Sequence, residues 1–207
     1  MNEYNFTVRW FEDSARQVWD QLIPQIKPAR ILEVGCYEGA STCYLIGTLA
    51  RERGIEMHCV DIWGGGGELQ PGGVDMESVE SRFKHNTRLA IDNSPGKVDL
   101  IVHKESSDVC LSRLLSEGKS GYFDFVYVDG SHQAPDVLCD AVLGFKLLRI
   151  GGVLAFDDYL WAETSETTKD PLRCPKPAID AFVNINFQKL RVIKAPLYQL
   201  FVQKLAD

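Results

Sequence analysis

The sequence predicts a single α/β domain in which helices cover both faces of a mostly parallel sheet. Short apolar segments typical of buried strands alternate with longer segments of helical spacing, and five such strand-helix units follow one another. Repeated units of this kind require parallel pairing, because each helix returns the chain to the same edge of the sheet. The final two strands flank only Pro196, too short a connection for a crossover, and are therefore expected to be antiparallel. A chain of 207 residues suits one domain, residues 1–207.

Seven strands and six helices are predicted. The strands cover residues 30–34, 56–61, 98–103, 122–128, 153–156, 189–195 and 197–204. The helices cover residues 14–26, 41–53, 76–91, 107–116, 135–149 and 177–187. Breakers set the helix ends, with Pro24 and Pro28 closing the first helix, Gly54 the second and Gly151-Gly152 the fifth. The long loops Gly64–Gly73 and Ala162–Pro175 are predicted to act as lids.

Charge and composition narrow the class of ligand. The formal net charge of −7 disfavours a nucleic-acid or anionic membrane surface, which needs a basic excess, so the expected partner is a small molecule. The six cysteines form no C-x-x-C pair and lie mostly in apolar segments, which favours a reducing compartment. The sequence shows neither a leader pattern nor a run of eighteen apolar residues, and we expect a cytoplasmic protein.

A glycine turn follows the first strand, at the place where open α/β sheets bind ligands. Gly35 allows a sharp turn, Gly39 allows close approach of the next helix, and the free amides of that helix can receive an anionic group. The dinucleotide pattern G-x-G-x-x-G is absent, since Tyr37 stands at its second glycine. An acid, Glu33, precedes the turn and Ser41 follows it.

Asp61 ends the second strand, 28 positions after Glu33, where an acid can hold both hydroxyls of a ribose. Together with the glycine turn it indicates an adenosine ligand without a pyrophosphate. The alternative is that Gly35 and Gly39 only make a turn and that Asp61 only caps a strand.

The segment ILEVGCYEGASTCYL resembles the first motif of class I S-adenosylmethionine-dependent methyltransferases, in particular the small metal-dependent O-methyltransferases of the catechol type. This resemblance implies a Rossmann-like methyltransferase sheet with a C-terminal antiparallel hairpin. It also implies a set of cofactor contacts in which the glycine loop and its neighbours hold the methionine part, Glu33 lies near the amino group and Asp61 binds the ribose. The loop residues implied by this match are Gly35, Tyr37, Gly39 and Ser41, and Trp63 is expected to fold over the cofactor.

The segment HKESSDVCLSRLL is similar to the stretch that contacts adenine in the same family, which makes Ser106 and Ser107 candidate contacts. The alternative is that both serines only cap the helix that runs through Asp108.

A second cluster is expected where the fourth and fifth strands end. Asp129 follows the fourth strand, and Asp157 and Asp158 follow the fifth, so the three carboxylates are expected to converge. Such like charges require a cation or protons, and hard oxygen ligands suit Mg²⁺, with Mn²⁺ or Ca²⁺ as alternatives, rather than structural zinc. The resemblance implies the same metal set. Against it, many metal-free methyltransferases also carry an acid after the fourth strand, and Asp158 is also able to cap the loop.

His132 lies three positions after Asp129, at the offset where catechol-type enzymes carry a lysine that takes the proton of the substrate hydroxyl. The Asp-x-x-His version resembles some sugar and macrolide O-methyltransferases, and an imidazole suits the role of general base. The expected function is therefore metal-assisted transfer of a methyl group from S-adenosylmethionine to a hydroxyl of a small sugar, phenol or natural product. A metal-independent N- or O-methyltransferase and a non-catalytic cofactor-binding module are the alternatives.

Two further expectations concern aromatic residues. Trp161, with Arg173 in the same loop, is expected to line the acceptor pocket. Trp10 and Phe11 are expected to be exposed and to offer contacts for a homodimer.

Overall fold

The computed structural model describes residues 3–51, 53–64, 74–162, 170–196 and 198–207. Within these ranges seven strands form a mixed, mostly parallel sheet that ends in an antiparallel hairpin, with helices around it. The predicted fold class is confirmed. The chain divides into two compact units, Met1–Ser106 and Ser107–Asp207.

The first unit contains three parallel strands, which lie side by side in the order β3 (Val98–His103), β2 (Ile55–Val60) and β1 (Arg30–Val34). Both β1 and β2 are almost entirely buried, as expected of parallel strands whose faces are covered by helices. Trp19 and Ile23 of the second helix are completely buried. The elements are α1 (Trp10–Asp13), α2 (Arg16–Ile26), β1 (Arg30–Val34), α3 (Ala40–Leu49), β2 (Ile55–Val60), α4 (Met76–Asp92) and β3 (Val98–His103).

The start of the chain differs from the prediction in two ways. A short helix, α1, precedes α2, and its Phe11 is buried rather than exposed, because its ring packs 5.1 Å from Trp19 and 5.3 Å from Tyr44, measured between centroids. Trp10 is exposed as expected. Helix α2 contains Pro24 and ends at Ile26, as predicted.

Helix α3 ends at Leu49 rather than at the predicted Arg53. The turn after α4 packs against the C-terminal end of α3, where the Ser94 hydroxyl donates to the carbonyl oxygen of Ala50 at 3.2 Å. At Gly96 an added Cβ would lie 2.0 Å from that same oxygen, so only glycine allows this approach.

The second unit contains four strands, which lie side by side in the order β4 (Phe123–Val128), β5 (Leu148–Phe156), β7 (Leu200–Lys204) and β6 (Leu190–Ile193). Strands β4 and β5 are parallel, whereas β7 runs antiparallel to both β5 and β6, which confirms the predicted hairpin. Its connection covers residues 194–199 and is therefore longer than the sequence indicated. The elements are α5 (Ser107–Ser116), β4 (Phe123–Val128), α6 (Ala134–Leu147), β5 (Leu148–Phe156), a short 3-10 helix (Pro171–Arg173), α7 (Lys176–Ile185), β6 (Leu190–Ile193) and β7 (Leu200–Lys204).

Strand β5 begins at Leu148, directly after α6 and earlier than the predicted Val153. Leu148 already pairs with Phe123 of β4, and the register then shifts before Phe125. Gly151, with φ of 80°, lies within this irregularity, so the glycines that were predicted to separate helix from strand are part of the strand.

Both loops that were predicted to be lids extend beyond the described residues, which omit 65–73 and 163–169, and their closure stays a prediction. In the part of the chain that the structure describes, no helix has the length and apolar character needed to cross a membrane.

A buried lysine joins β7 to the end of α6. Lys204 is 2% exposed, and its ammonium donates to the carbonyl oxygens of Phe145 and Leu148, both at 2.9 Å. The Asp207 carboxylate lies 2.7 Å from the same ammonium. A cation at this position satisfies carbonyls that the helix end leaves without intrahelical partners and complements the helix dipole.

We expect Lys204→Met to lower the free energy of unfolding by about 2–4 kcal/mol, because two buried carbonyls lose their donor. The measurement is urea denaturation followed by circular dichroism. Lys194→Met, which changes an exposed lysine of the same hairpin, is the control and should stay within about 0.5 kcal/mol. Equal losses in the two variants would contradict the capping role.

Candidate functional site

The glycine turn forms a loop of left-handed residues between β1 and α3. Gly35, Tyr37 and Gly39 have φ angles of 82°, 47° and 81°. At Gly39 an added Cβ would lie 2.9 Å from the Phe83 ring, so glycine is also required for close packing. Tyr37 has no such freedom, and a side chain in this region costs about 1–2 kcal/mol, so other contacts must hold the loop.

The Asp61 carboxylate supplies those contacts. Its Oδ2 accepts the backbone amides of Cys36 and Tyr37 at 2.8 and 2.9 Å, and its Oδ1 accepts the amide of Trp63 at 2.8 Å. The Trp63 indole is buried against Phe83, 4.9 Å between ring centroids, and donates to the Tyr37 carbonyl at 3.0 Å. The structure therefore joins Asp61 and Trp63 to the loop backbone, and their contacts with a cofactor stay predictions.

Glu33 is completely buried beneath the same loop. The hydroxyl of Ser41 donates to its Oε1, and the hydroxyl of Thr42 donates to its Oε2 at 2.6 Å. Burial raises the pKa of Glu33 to about 7, against the opposing effect of these hydrogen bonds. The structure thus brings together Glu33 and Ser41, each expected to contact the cofactor, and adds Thr42, which the sequence did not indicate; their cofactor contacts stay predictions.

We expect Glu33→Gln to remove a pH dependence of stability. Since the folded-state pKa of Glu33 is raised to about 7, the folded protein holds a proton that the unfolded chain releases above its own pKa near 4.5, so wild-type stability falls as the pH rises through this window. The variant's stability relative to wild type should therefore increase by up to about 3 kcal/mol between pH 4.5 and pH 7. Chemical denaturation at several pH values measures this, and a constant difference would contradict the buried proton.

The candidate adenine contacts are two consecutive residues that follow β3. Ser106 closes the first unit, and Ser107 is the first residue of α5. The Ser107 side chain hydrogen-bonds Asp140 of α6, a buried carboxyl whose pKa burial raises to about 7. Ser107 therefore has a local packing partner, and contact with adenine stays a prediction for both serines.

The second unit contains a cleft at the carboxyl ends of β4 and β5. The two strands end together, since the Asp157 amide donates to the Val128 carbonyl at 3.0 Å. The free volume in the cleft is about 10 Å³, room for roughly one water-sized occupant. The structure thus brings together the second cluster that the sequence indicated, because the cleft is lined by Asp129, His132, Asp157 and Asp158, among others.

Two carboxylates of this cleft share one tyrosine hydroxyl. Tyr127 Oη lies 3.0 Å from Asp129 Oδ2 and also hydrogen-bonds Asp157 Oδ2, to which Gln199 Nε2 donates at 3.0 Å. A tyrosine hydroxyl has one hydrogen, so the second contact requires a proton on a carboxyl group. Burial, together with the charge of Asp158, raises the pKa of Asp157 to about 6. These crowded oxygens therefore need a proton or a cation. Among the residues that the structure describes, Asp158 does not join Asp129 and Asp157 in a group of ligand atoms within 4.8 Å of one another, so a divalent cation held by all three stays a prediction.

Tyr127 and Gln199 were missed by the sequence analysis. Tyr127 precedes Asp129 by two positions, and side chains two apart in a strand share a face, so this signal was present. Gln199 precedes β7, far along the chain, and its contact with Asp157 had no sequence signal.

His132 is oriented by two neighbours in the same unit. Its Nε2 lies 2.9 Å from Asp158 Oδ2, and its ring stacks on Trp161 with centroids 4.0 Å apart and planes at 19°. Asp158, with φ of 53°, thus contacts the imidazole, and its role as a metal ligand stays a prediction. Trp161 contacts the candidate base, whereas Arg173 ends the short 3-10 helix; the acceptor pocket stays a prediction for both.

Comparisons with known proteins identify the family of the chain. A family model described as a methyltransferase domain matches residues 32–159, a range that includes both clusters. A probable caffeoyl-CoA O-methyltransferase 3 of Dictyostelium discoideum is 33% identical to this chain, in a match that covers 77% of this chain and 54% of the relative. A caffeoyl-CoA O-methyltransferase of Populus kitakamiensis is 25% identical, in a match that covers 83% of this chain and 66% of the relative. The chain thus spans between about half and two thirds of these relatives.

Among solved structures, an O-methyltransferase of Streptomyces achromogenes involved in tomaymycin synthesis, in complex with SAM, matches with a TM-score of 0.64. The match covers 93% of this chain and 81% of that one at 19% sequence identity, so it bears on the fold alone.

Proposed function

Because the chain belongs to the methyltransferase-domain family, we propose that it transfers the methyl group of S-adenosylmethionine to a hydroxyl of a small acceptor. The observation that carries this proposal is the cleft lined by His132, Asp129, Asp157 and Asp158, since it contains both a candidate base and candidate oxygen ligands for a cation. The O-methyltransferase names of both curated relatives support a hydroxyl acceptor.

The glycine loop is proposed to hold the cofactor, which when bound supplies an electrophilic methyl group on its sulfonium. Gly35, Tyr37, Gly39 and Ser41 would hold the methionine part, and Glu33 would lie near its amino group. The support is that this loop is already held in its left-handed conformation, so little ordering remains for binding. Asp61 Oδ1 accepts one backbone amide and retains capacity for a ribose hydroxyl, while Ser106 and Ser107 are proposed for adenine and Trp63 supports the loop.

His132 is proposed to act as the general base for the acceptor hydroxyl. The proton moves to the imidazole, and Asp158 stabilises the imidazolium that forms and fixes the ring, as the carboxylate does in other His-Asp pairs. Trp161 restricts the ring further by stacking on it. Contact distances of this kind keep the imidazole in one orientation before the acceptor arrives.

Asp129, Asp157 and Asp158 are proposed to hold a divalent cation, with Mg²⁺ preferred to Mn²⁺ or Ca²⁺. Such a cation lowers the pKa of a hydroxyl and fixes its position. The support is the crowding of Asp129 and Asp157 on a single tyrosine hydroxyl, which a cation relieves. Tyr127 and Gln199 then orient the carboxylates from behind.

We expect His132→Ala to lower methyl transfer by about 10²–10⁴-fold while leaving the Kd for S-adenosylhomocysteine unchanged, because the base acts on the acceptor and not on the cofactor. A screen of phenols, sugars and natural-product alcohols with release of S-adenosylhomocysteine as the readout supplies the acceptor. Gln188→Ala, which changes an exposed residue of the same unit outside the cleft, is the control. A His132→Ala variant with wild-type turnover would remove the base from this mechanism.

Chelation tests the cation. We expect EDTA to abolish turnover, Mg²⁺ to restore it, and Asp157→Asn to weaken Mn²⁺ binding at least tenfold in calorimetry, since one hard ligand loses its charge. Asp92→Asn, at the exposed end of α4, is the control. Turnover that survives EDTA indicates a metal-independent methyltransferase instead, and cofactor binding without turnover on any acceptor indicates a binding module.

We also propose that residues 1–207 act as one catalytic domain in the cytoplasm, with a small molecule rather than a nucleic acid or membrane as partner. A homodimer is proposed with Trp10 as a contact, since this indole is 57% exposed.

A further inference from the structure

The first residues of the chain lie along the glycine loop. Residues 3–10, which we call the N-terminal strap, precede and enter α1. Asn5 exchanges two hydrogen bonds with the Asn86 side chain, at 2.7 and 3.1 Å, and the Glu3 carbonyl lies 2.9 Å from His85 Nε2. Helix α4 therefore gives the strap a defined path.

The strap reaches the loop itself through Thr7. Its backbone amide donates to Glu38 Oε2 and its hydroxyl donates to Glu38 Oε1, both at 2.6 Å. One residue thus donates to both oxygens of a carboxylate that lies between Tyr37 and Gly39, in the middle of the candidate cofactor loop.

Glu38 is a buried charged residue of the glycine loop. It is 2% exposed, and its second charged partner is Arg82 of α4, whose Nε lies 2.5 Å from Oε1. The Glu38 carbonyl also accepts the Asn86 side-chain amide at 2.9 Å. A buried carboxylate is stable only with such donors, so Glu38, Thr7 and Arg82 depend on one another.

The same contacts act on the strained residue of the loop. Tyr37, with φ of 47°, is bound on one side by Asp61 and Trp63 and is followed directly by Glu38. The Trp10 ring, at the end of the strap, lies 5.0 Å from the Tyr37 ring, centroid to centroid. The strap therefore contacts both Tyr37 and Glu38, and any change in the loop changes its contacts.

We propose that Glu38 is a positioning residue for the cofactor, and that through Thr7 it couples the N-terminal strap to occupancy of the glycine loop. This rests on the cofactor assignment in the proposed function. Glu38 does not touch the reacting atoms; it holds Tyr37 in the left-handed conformation that the loop requires. Because coupling is reciprocal, a cofactor that stabilises the loop also stabilises the strap.

Calorimetry with S-adenosylhomocysteine on the full chain measures the positioning role. We expect Thr7→Val, Glu38→Gln and Arg82→Met each to raise the Kd about tenfold. Arg88→Met is the matched control, because Arg88 lies on the same helix, pairs only weakly with Asp92 at 3.8 Å and is largely exposed; its Kd should stay within about twofold of wild type.

Hydrogen exchange measures the coupling, which a purely structural anchor does not produce. In wild type, S-adenosylhomocysteine should slow exchange of the Thr7 amide, and in Glu38→Gln this slowing should be lost. Thr7→Val removes only one hydroxyl from an exposed residue. If Glu38→Gln fails to fold, the same exchange measurement is made on Thr7→Val, in which the slowing should be weakened.

The outcomes separate the two proposals. Wild-type protein that binds no S-adenosylhomocysteine overturns the proposed function, and this proposal with it. Wild-type binding with an unchanged Kd in all three variants overturns only the positioning role, even where their melting temperatures fall. An exchange rate of the Thr7 amide in wild type that is the same with and without S-adenosylhomocysteine overturns the coupling.

Discussion

The Asp61 carboxylate binds two consecutive amides of the glycine loop, and the arrangement of the first unit depends on that interaction. A left-handed tyrosine is unfavourable by itself, so the loop keeps this shape only while its backbone is bound. Once the loop is fixed, Ser41 meets the buried Glu33 below it and Glu38 meets the N-terminal strap beside it. Three carboxylates, each with its own donors, therefore hold one short turn in a single conformation before any ligand binds.

The second unit contains carboxylates that are less well satisfied. Strands β4 and β5 end in register, which forces Asp129 and Asp157 onto the same hydroxyl, that of Tyr127. Burial and the neighbouring charge raise the pKa of Asp157 to about 6, and two of these carboxyl groups share one hydroxyl, so the cluster needs a proton or a cation.

Much of the fold could be predicted because strand and helix periodicities are local. The alternation and the antiparallel hairpin were correct. The errors occur where tertiary contacts override local signals: Gly151 lies inside a strand because Leu148 already pairs with Phe123, and Phe11 is buried because Trp19 and Tyr44 receive it.

The sequence by itself determined which residues stand at the strand ends, because that depends only on periodicity and on where each apolar segment stops. It thereby gave Glu33, Asp61, Asp129 and Asp157 as candidate site residues. Only the tertiary structure decided which donors those carboxylates receive. Thr7 reaches Glu38 across 31 positions and Gln199 reaches Asp157 across 42, and no local pattern encodes such pairs. The whole fold determines which residues packing brings together. The contacts of Glu38 with Thr7 and Arg82, from which its positioning role is proposed, are therefore visible only in the tertiary structure.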